Sequence, residues 1–451
     1  MTCRIHNFTS EGAHLPWSIH EYDRITAQFD VPVDVEIQPV LVSEENLFTE
    51  IHEPGSDDES LLSDESDMDE SIESTYGLRK RCVFNSLNSF HCISSMPPDC
   101  LHDLFEGVLA QDLLGIIRIF EEKTWFSIKE YNKVLKMFPL SPQESSNKPQ
   151  EVPSSSSVKK LQGKAVSIWC HMRLFLPLIS QNGWIVDPND DVLKLAILLS
   201  DITLRVTAEE FKLYEIDTLE ELIIQFLDQR EYIFSLFPIL GSPKPKHHLL
   251  SHYADNIRQF GPPMCFWTGR FESKHRVSKS LAESGKNFIN ISLTLTNRQQ
   301  YRMASTYFHG MFSEDIALPV TVRTRSELSE DGVEGRLRLT LNAEDIVCNE
   351  VSWRSRKYKI GMIVVIARSD QIEMEIGEIK SIIIRKKKVF LLLRKFRVQK
   401  SYLMFFKCVE MYDSLSLFSI QDLIDTYPLV RRGSDNNFYV VLHHHISFSY
   451  D

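Results

Sequence analysis

Two changes of texture along this 451-residue chain predict an α+β protein, with a mostly helical middle region followed by a small β-barrel-like C-terminal domain. Between residues 99 and 282, apolar positions recur at helical spacing and are interrupted by prolines. From about 345 they gather instead into short β-branched and aromatic runs separated by polar joins. Charge sets a third segment apart. Residues 1–75 hold 19 acids and 2 bases, net −17, and the rest holds 43 acids and 48 bases, net +5.

Residues 1–75 read as a largely disordered acidic head. One strand-like alternation runs through Phe29, Val31, Val33, Val35 and Ile37, with Asp30 and Asp34 on its other face. The tract 56–73 carries nine acids among serines and is too poor in apolar residues to fold alone. Ordered chain is expected from Tyr76, and residues 76–310 form the helical region. Pro97 and Pro98 open a helix in which apolar residues at 101, 104, 105, 108, 109, 113, 116, 117 and 120 keep one face. The Ser/Pro-rich stretch 141–157 reads as a disordered loop. Three helices are expected within 160–237, with capping boxes starting at Thr207-x-x-Glu210 and Thr218-x-x-Glu221. Pro243 and Pro245 precede the segment 247–261, and Gly261-Pro262-Pro263 precedes a last helix around 270–282. Residues 311–344 read as a linker. The runs 361–366, 375–384, 387–396 and 402–410 then predict closely spaced strands of a barrel or curled sheet within 345–451.

The best candidate for a membrane span, residues 192–199, is short and amphipathic, and the N-terminus lacks the build of a signal peptide. Eight cysteines without a C-x-x-C pair indicate neither a zinc ribbon nor a disulfide framework. These features point to a soluble intracellular chain with no membrane partner.

Two constellations are candidates for chemistry. Asp99 follows two prolines, where its carboxylate is suited to cap a helix; Asp99, His102, Asp103 and Glu106 also place oxygen and nitrogen donors at one helix end. The string Trp267-Thr268-Gly269-Arg270-Phe271-Glu272-Ser273-Lys274-His275 sets Glu272 in a basic segment: residues 244–302 hold ten Lys/Arg and three acids. Glu272 is either a salt-bridge partner or a metal-binding carboxylate inside a phosphate-binding surface. That surface would use Lys244, Lys246, Arg258, Arg270, Lys274, Arg276, Lys279 and Arg298. Phe266 and Trp267 either stack on bases or belong to the core. Residues 351–407 carry 15 bases and four acids, and Arg385, Lys386, Lys387 and Lys388 fall at an expected hairpin tip. That tip reads equally as a solvated turn, a phosphate-contacting loop or part of a nuclear import signal. His443, His444 and His445 cannot all face one metal from a strand and read as structural.

The strings 76–91, 96–109 (MPPDCLHDLFEGVL), 163–179, 246–262 and 267–280 (WTGRFESKHRVSKS) resemble transposase-derived proteins of the CACTA (En/Spm, tnp2-like) type, over about half the chain. The resemblance implies the C-terminal half of an RNase H-like core with a helical insertion. Asp99 and His102 match the family's D-x-x-H motif, and Glu272 its final catalytic acid. The family's first two catalytic aspartates belong upstream of that motif, where only the acidic segment stands. Two-metal phosphodiester chemistry needs carboxylates holding paired ions about 4 Å apart. The expectation is therefore a nuclear, DNA-binding, transposon-derived protein with an incomplete catalytic set. A homo-oligomer is compatible with it. Two alternatives stand beside this reading. One is an active DDE-type transposase using Mg²⁺ or Mn²⁺ with the missing acids supplied elsewhere. The other is a protein–protein interaction module.

Overall fold

The computed structural model describes residues 81–140, 144–286, 289–308, 318–323, 335, 341–342, 344–354, 356–368, 372–386, 388–434 and 437–447. The expected acidic head, with Asp30 and Asp34, and Lys387 lie outside these residues. The chain divides into two compact units, 1–98 and 99–451. In the first, a single 3-10 turn, Val83–Ser86, is described, and the Asn85 side chain accepts the Cys92 N–H at 2.9 Å.

The second unit is α+β, as expected. A π-helical segment, Leu101–Leu109, runs into α1 (Ala110–Glu122), in which every residue from Ala110 to Phe120 is buried. A helix buried on all sides must lie at the centre of its layer. Around it stand α2 (Ile128–Met137), α3 (Ala165–Gln181), α4 (Asp191–Val206) and α5 (Leu213–Leu236), so the three helices expected in 160–237 are present. Their starts differ from expectation. Thr207 follows α4, and its hydroxyl donates back to the Thr203 and Leu204 carbonyls; Thr218 lies inside α5 and donates to the Tyr214 carbonyl at 2.8 Å. A threonine hydroxyl satisfies a carbonyl one turn back as readily as it caps, so the spacing alone could not place the boundary. Asp190 caps α4 through the Val192 and Leu193 N–H groups, and Ser127 with Glu130 forms a capping box on α2.

The described part of the 141–157 loop, expected to be disordered, is pinned. Asn132 exchanges two hydrogen bonds with the Val152 backbone, and Arg118 donates to the carbonyls of Ser155 and Val158. Glu144 is buried against Arg173 and Arg432, and Val152 is buried in the helical core, so a carboxylate and one apolar side chain anchor the loop.

One buried ionic cluster ties α1 to α5 and to α6 (Pro245–Leu250). Arg230 donates to both carboxylate oxygens of Asp112 at 2.9 Å and to the Gly241 carbonyl at 2.9 Å, and His247 Nε2 lies 3.1 Å from Asp112. Gly115 lets the 238–240 turn approach: a Cβ there would lie 2.9 Å from the Leu240 Cα. Short helices α7 (Tyr253–Phe260) and α8 (Pro263–Phe266) lead to α9 (Gly269–Gly285) and α10 (Ile291–Phe308). The last helix expected around 270–282 is thus followed by a second, and no residue of either is buried.

Among the described residues, the C-terminal part forms a ten-stranded antiparallel sheet: β1 (Leu318–Arg323), β2 (Ile346–Trp353), β3 (Arg356–Lys359), β4 (Ile363–Arg368), β5 (Glu373–Arg385), β6 (Lys388–Lys400), β7 (Phe406–Ser419), β8 (Asp425–Leu429), β9 (Arg432–Ser434) and β10 (Asn437–Val440). Strand β1 comes from the stretch read as linker. Long strands β5, β6 and β7 form a central meander, and Lys386 takes φ +47° in the tight β5–β6 turn, confirming the hairpin tip.

The expected barrel does not form. The outer edge of β5 is shared: Ile382–Ile384 pair with β2, whereas Met374–Glu378 pair with β4, which in turn takes β8. A register shift between Ile379 and Ser381 bends β5 near the division, so the edge branches instead of curling round to meet β9. Leu403, Met404, Phe405, Tyr439 and Val441 join the core of the helical layer. Beyond β10, His443, His444 and His445 each face a different carboxylate, those of Glu144, Asp425 and Glu215, at 4.0, 3.7 and 2.9 Å. They fasten the chain end to the body, in keeping with a structural role. Among the described residues, no helix is long and apolar enough to cross a membrane.

Gly115→Ala would ordinarily gain about 1 kcal/mol of helix propensity, but the contact with Leu240 reverses the sign. A loss of about 1–3 kcal/mol is expected in urea unfolding. Burial pushes His171, bonded to Tyr131 at 2.7 Å, down to about 3. Its contribution is therefore complete above the unfolded value near 6.5 and is lost as pH falls from there towards 3. The unfolding midpoint of His171→Gln should fall less steeply between pH 6.5 and 4 than that of the unaltered protein.

Candidate functional site

The structure brings together the two constellations read from the sequence, 170 residues apart. Asp99 stands just before the π-helical segment and its Oδ1 accepts the Leu101 N–H at 3.2 Å, the expected capping contact. The same carboxylate accepts the Thr268 N–H at 3.0 Å and the Thr268 hydroxyl at 2.5 Å, at the entrance to α9. His102, one turn into the helix, presents Nδ1 to Asp99 at 2.5 Å and Nε2 to Glu272 Oε1 at 3.2 Å. A single carboxylate thus starts one helix, steadies the start of another and orients the imidazole between them.

Electrostatics follow from these contacts. Burial pushes the Asp99 carboxyl up, but the bonds from Thr268, His102 and Leu101 outweigh it and hold the group below its ordinary value. The Asp99 hydrogen bond raises His102, with the charge of Glu272 adding to it. Both ring nitrogens face carboxylate oxygens, which accept only, so the imidazolium is the form that satisfies both contacts. Burial lifts the neighbouring Asp103 to about 6. Lys246 crosses the π-helical segment to donate to the His102 carbonyl at 2.6 Å, and only a glycine at 107 leaves it room: a Cβ would lie 2.4 Å from its Cδ.

The divalent metal implied by the transposase resemblance does not fit this arrangement. Asp99 is committed to four donors and both His102 nitrogens are engaged, which leaves Glu272 as the one exposed oxygen donor of the three. Among the described residues, no group of three or more His, Cys, Asp or Glu side chains is placed to hold a metal ion. The arrangement acts as a clamp: an imidazolium that holds Glu272, and through it α9, against the first helix.

The basic residues sort into two sets. Arg270, Lys274, Arg276 and Lys279 are exposed along α9, Lys244 is exposed before α6, and Lys386 and Lys388 are exposed at the β5–β6 turn. The others have protein partners. Arg258 bonds Asp217, Glu220 and Asp255, Arg385 bonds Asp345 through two nitrogens, Arg298 donates to the Leu281 carbonyl, and Lys246 serves His102. Trp267 packs edge-on against Phe105 with ring centroids 6.3 Å apart, and Phe266 lies near Phe260, which places both aromatics with the protein's own packing. Between α9 and α10 runs an open cleft of about 520 Å³, lined by Glu272, His275, Lys279 and Ala282 from α9 and by Ile291 and Leu295 from α10.

Sequence reasoning gave no role to Thr268 or to the Lys246–His102 contact. The T-G-R step at a helix start was a usable signal for the first, whereas the second depends on α6 being folded back by the buried Asp112 cluster. Comparisons with protein-family models, with characterised proteins and with solved structures give no match to this chain.

Asp99→Ala is expected to lower stability by about 1–3 kcal/mol, since it orphans the Thr268 and His102 groups as well as a helix N–H. His102 holds Glu272 below pH 6.5, and the hold fades as pH rises through its raised folded value. Amide protection factors over 268–272 should fall across that rise in the unaltered protein, and should be low at every pH in Asp99→Ala.

Proposed function

We propose that this is a transposon-derived nucleic-acid-binding protein, related to the C-terminal half of a CACTA-type transposase, that binds without cleaving. The observation that carries the reading is the meeting of Asp99, His102 and Glu272, residues matched to that family's D-x-x-H motif and final acid, at the foot of a helix lined with exposed cations. A remnant clamp held by hydrogen bonds is compatible with binding, and the described residues offer Glu272 no pair of free carboxylates with which to hold catalytic ions. The RNase H-like core, a nuclear location and self-association belong to the same proposal. Exposed Lys386 and Lys388 at the hairpin tip offer a second phosphate contact or an import signal.

Phosphate contacts release condensed counterions, so affinity for DNA should fall linearly on a log–log plot against salt. Lys274→Ala with Arg276→Ala should weaken binding across sequences and reduce the magnitude of the slope by about one for each phosphate that the two side chains neutralise. The measurement is a titration of the full chain on labelled duplex and single-stranded DNA at several salt concentrations, with and without Mg²⁺ or Mn²⁺. Absence of salt-dependent binding would overturn the proposal in favour of a protein-interaction module. Metal-dependent cleavage abolished by Glu272→Ala would overturn it in favour of an active enzyme.

A further inference from the structure

We infer that the cleft between α9 and α10 takes an unpaired nucleobase of a single-stranded polynucleotide, an inference that rests on the nucleic-acid reading above. Three observations converge on this hairpin. The first is its charge: residues 269–308 carry seven bases and two acids, and all seven bases are exposed. A second copy docking here would set like charges together, whereas a polyanion would neutralise them. The second is the cleft itself. Its apolar lining, Ala282 of α9 with Ile291 and Leu295 of α10, suits the face of a planar ring, and its polar lining, Glu272, His275 and Lys279 of α9, supplies an acceptor and donors for a base edge. Its volume of about 520 Å³ leaves room for a flat heterocycle. The third is exposed aromatic surface next to cations: Phe271, which follows Arg270 on α9, and Tyr301, which precedes Arg302 on α10, are 62% and 75% exposed. Solvated aromatics interleaved with cations are the means by which proteins hold unpaired bases, because stacking needs a free π-face that a duplex does not offer.

Glu272 belongs both to the cleft and to the His102 clamp, so Asp99 and His102 are positioning residues for the cleft's polar wall. The carboxylate that the sequence motif marks thereby acts as a hydrogen-bond acceptor for a base edge.

The test uses the full chain and three labelled probes of equal length: an oligothymidylate, its duplex with oligoadenylate, and an abasic strand. The oligothymidylate is expected to bind at least about tenfold more tightly than either of the others, because stacking on the aromatics and insertion into the cleft both need a base that is present and unpaired. Ala282→Phe, which fills the cleft from an unburied position, should remove that advantage, so that the oligothymidylate binds no more tightly than the abasic strand. Equal affinity of the unaltered protein for the oligothymidylate and the abasic strand would overturn the inference while leaving phosphate-driven binding intact, and so would tighter binding of the duplex. Failure to bind any of the three would overturn both readings. If Ala282→Phe fails to fold, the comparison of intact and abasic strands on the unaltered protein still decides.

Discussion

The arrangement depends first on Asp112, a carboxylate buried at the centre of the helical layer. An isolated carboxylate there would be untenable, and removing one partner of such a pair typically costs about 3–5 kcal/mol. Arg230 meets it with two parallel bonds and His247 with a third. The Lys244 N–H donates to His247 Nδ1 at 3.1 Å, which assigns that nitrogen as acceptor and leaves the proton on Nε2, facing Asp112. Burial alone would push Asp112 up; His247 and Arg230 outweigh it and keep the group ionised. Satisfying this charge fixes the 238–247 segment against α1, and Gly115 and Gly241 are the small residues that allow the approach. Lys246 is the next residue along, so its reach to His102 follows from the position of His247. The candidate site therefore hangs on an ion pair that takes no part in it.

Beside the apolar residues that join the helical core, a contact of the same kind links the sheet to the helices. Glu144 sits among Arg173, Arg432 and His443, drawn from a loop, a helix, a short strand and the chain end. Burial and the Arg173 charge push His443 well below its ordinary value, so it packs as a neutral ring and leaves the two guanidiniums to balance the carboxylate. Polar side chains specify this junction because charge pairing selects one mutual placement, whereas apolar surfaces tolerate several.

What the sequence makes legible follows the range of the interactions involved. Asp99, His102 and Glu272 stand out as motif residues, and the helical period of 101–120 and the β-branched and aromatic runs after 361 give the class of each half. Local hydrogen-bond chemistry gives the cap at Asp99 and the turn at Lys386. The partners of Asp112 lie 118 and 135 residues away, and nothing in the composition around Arg230 or His247 marks them out. The expectation of a barrel fails for the same reason. Strand content and spacing are local, but closure depends on which strands share the β5 edge, and two of them do.

The cations are the least legible feature, because a count of Lys and Arg does not separate solvated charge from charge already answered. Arg258 and Arg385 look equivalent in sequence to Arg276 and Lys386, yet each is held by carboxylates that the fold supplies. After these are removed, four of the candidate cations, Arg270, Lys274, Arg276 and Lys279, stand exposed on α9, which like α10 has no buried residue. Helices of 17 and 18 residues with no buried face gain little from the core and are marginal on propensity alone. Clamping through Asp99, Thr268 and His102 fixes one end of α9, and the Arg298–Leu281 contact ties α10 to it. The surface that the hairpin withholds from the core is basic and faces solvent. Asp99, His102 and Glu272 thereby hold a basic helix where its charges face outward.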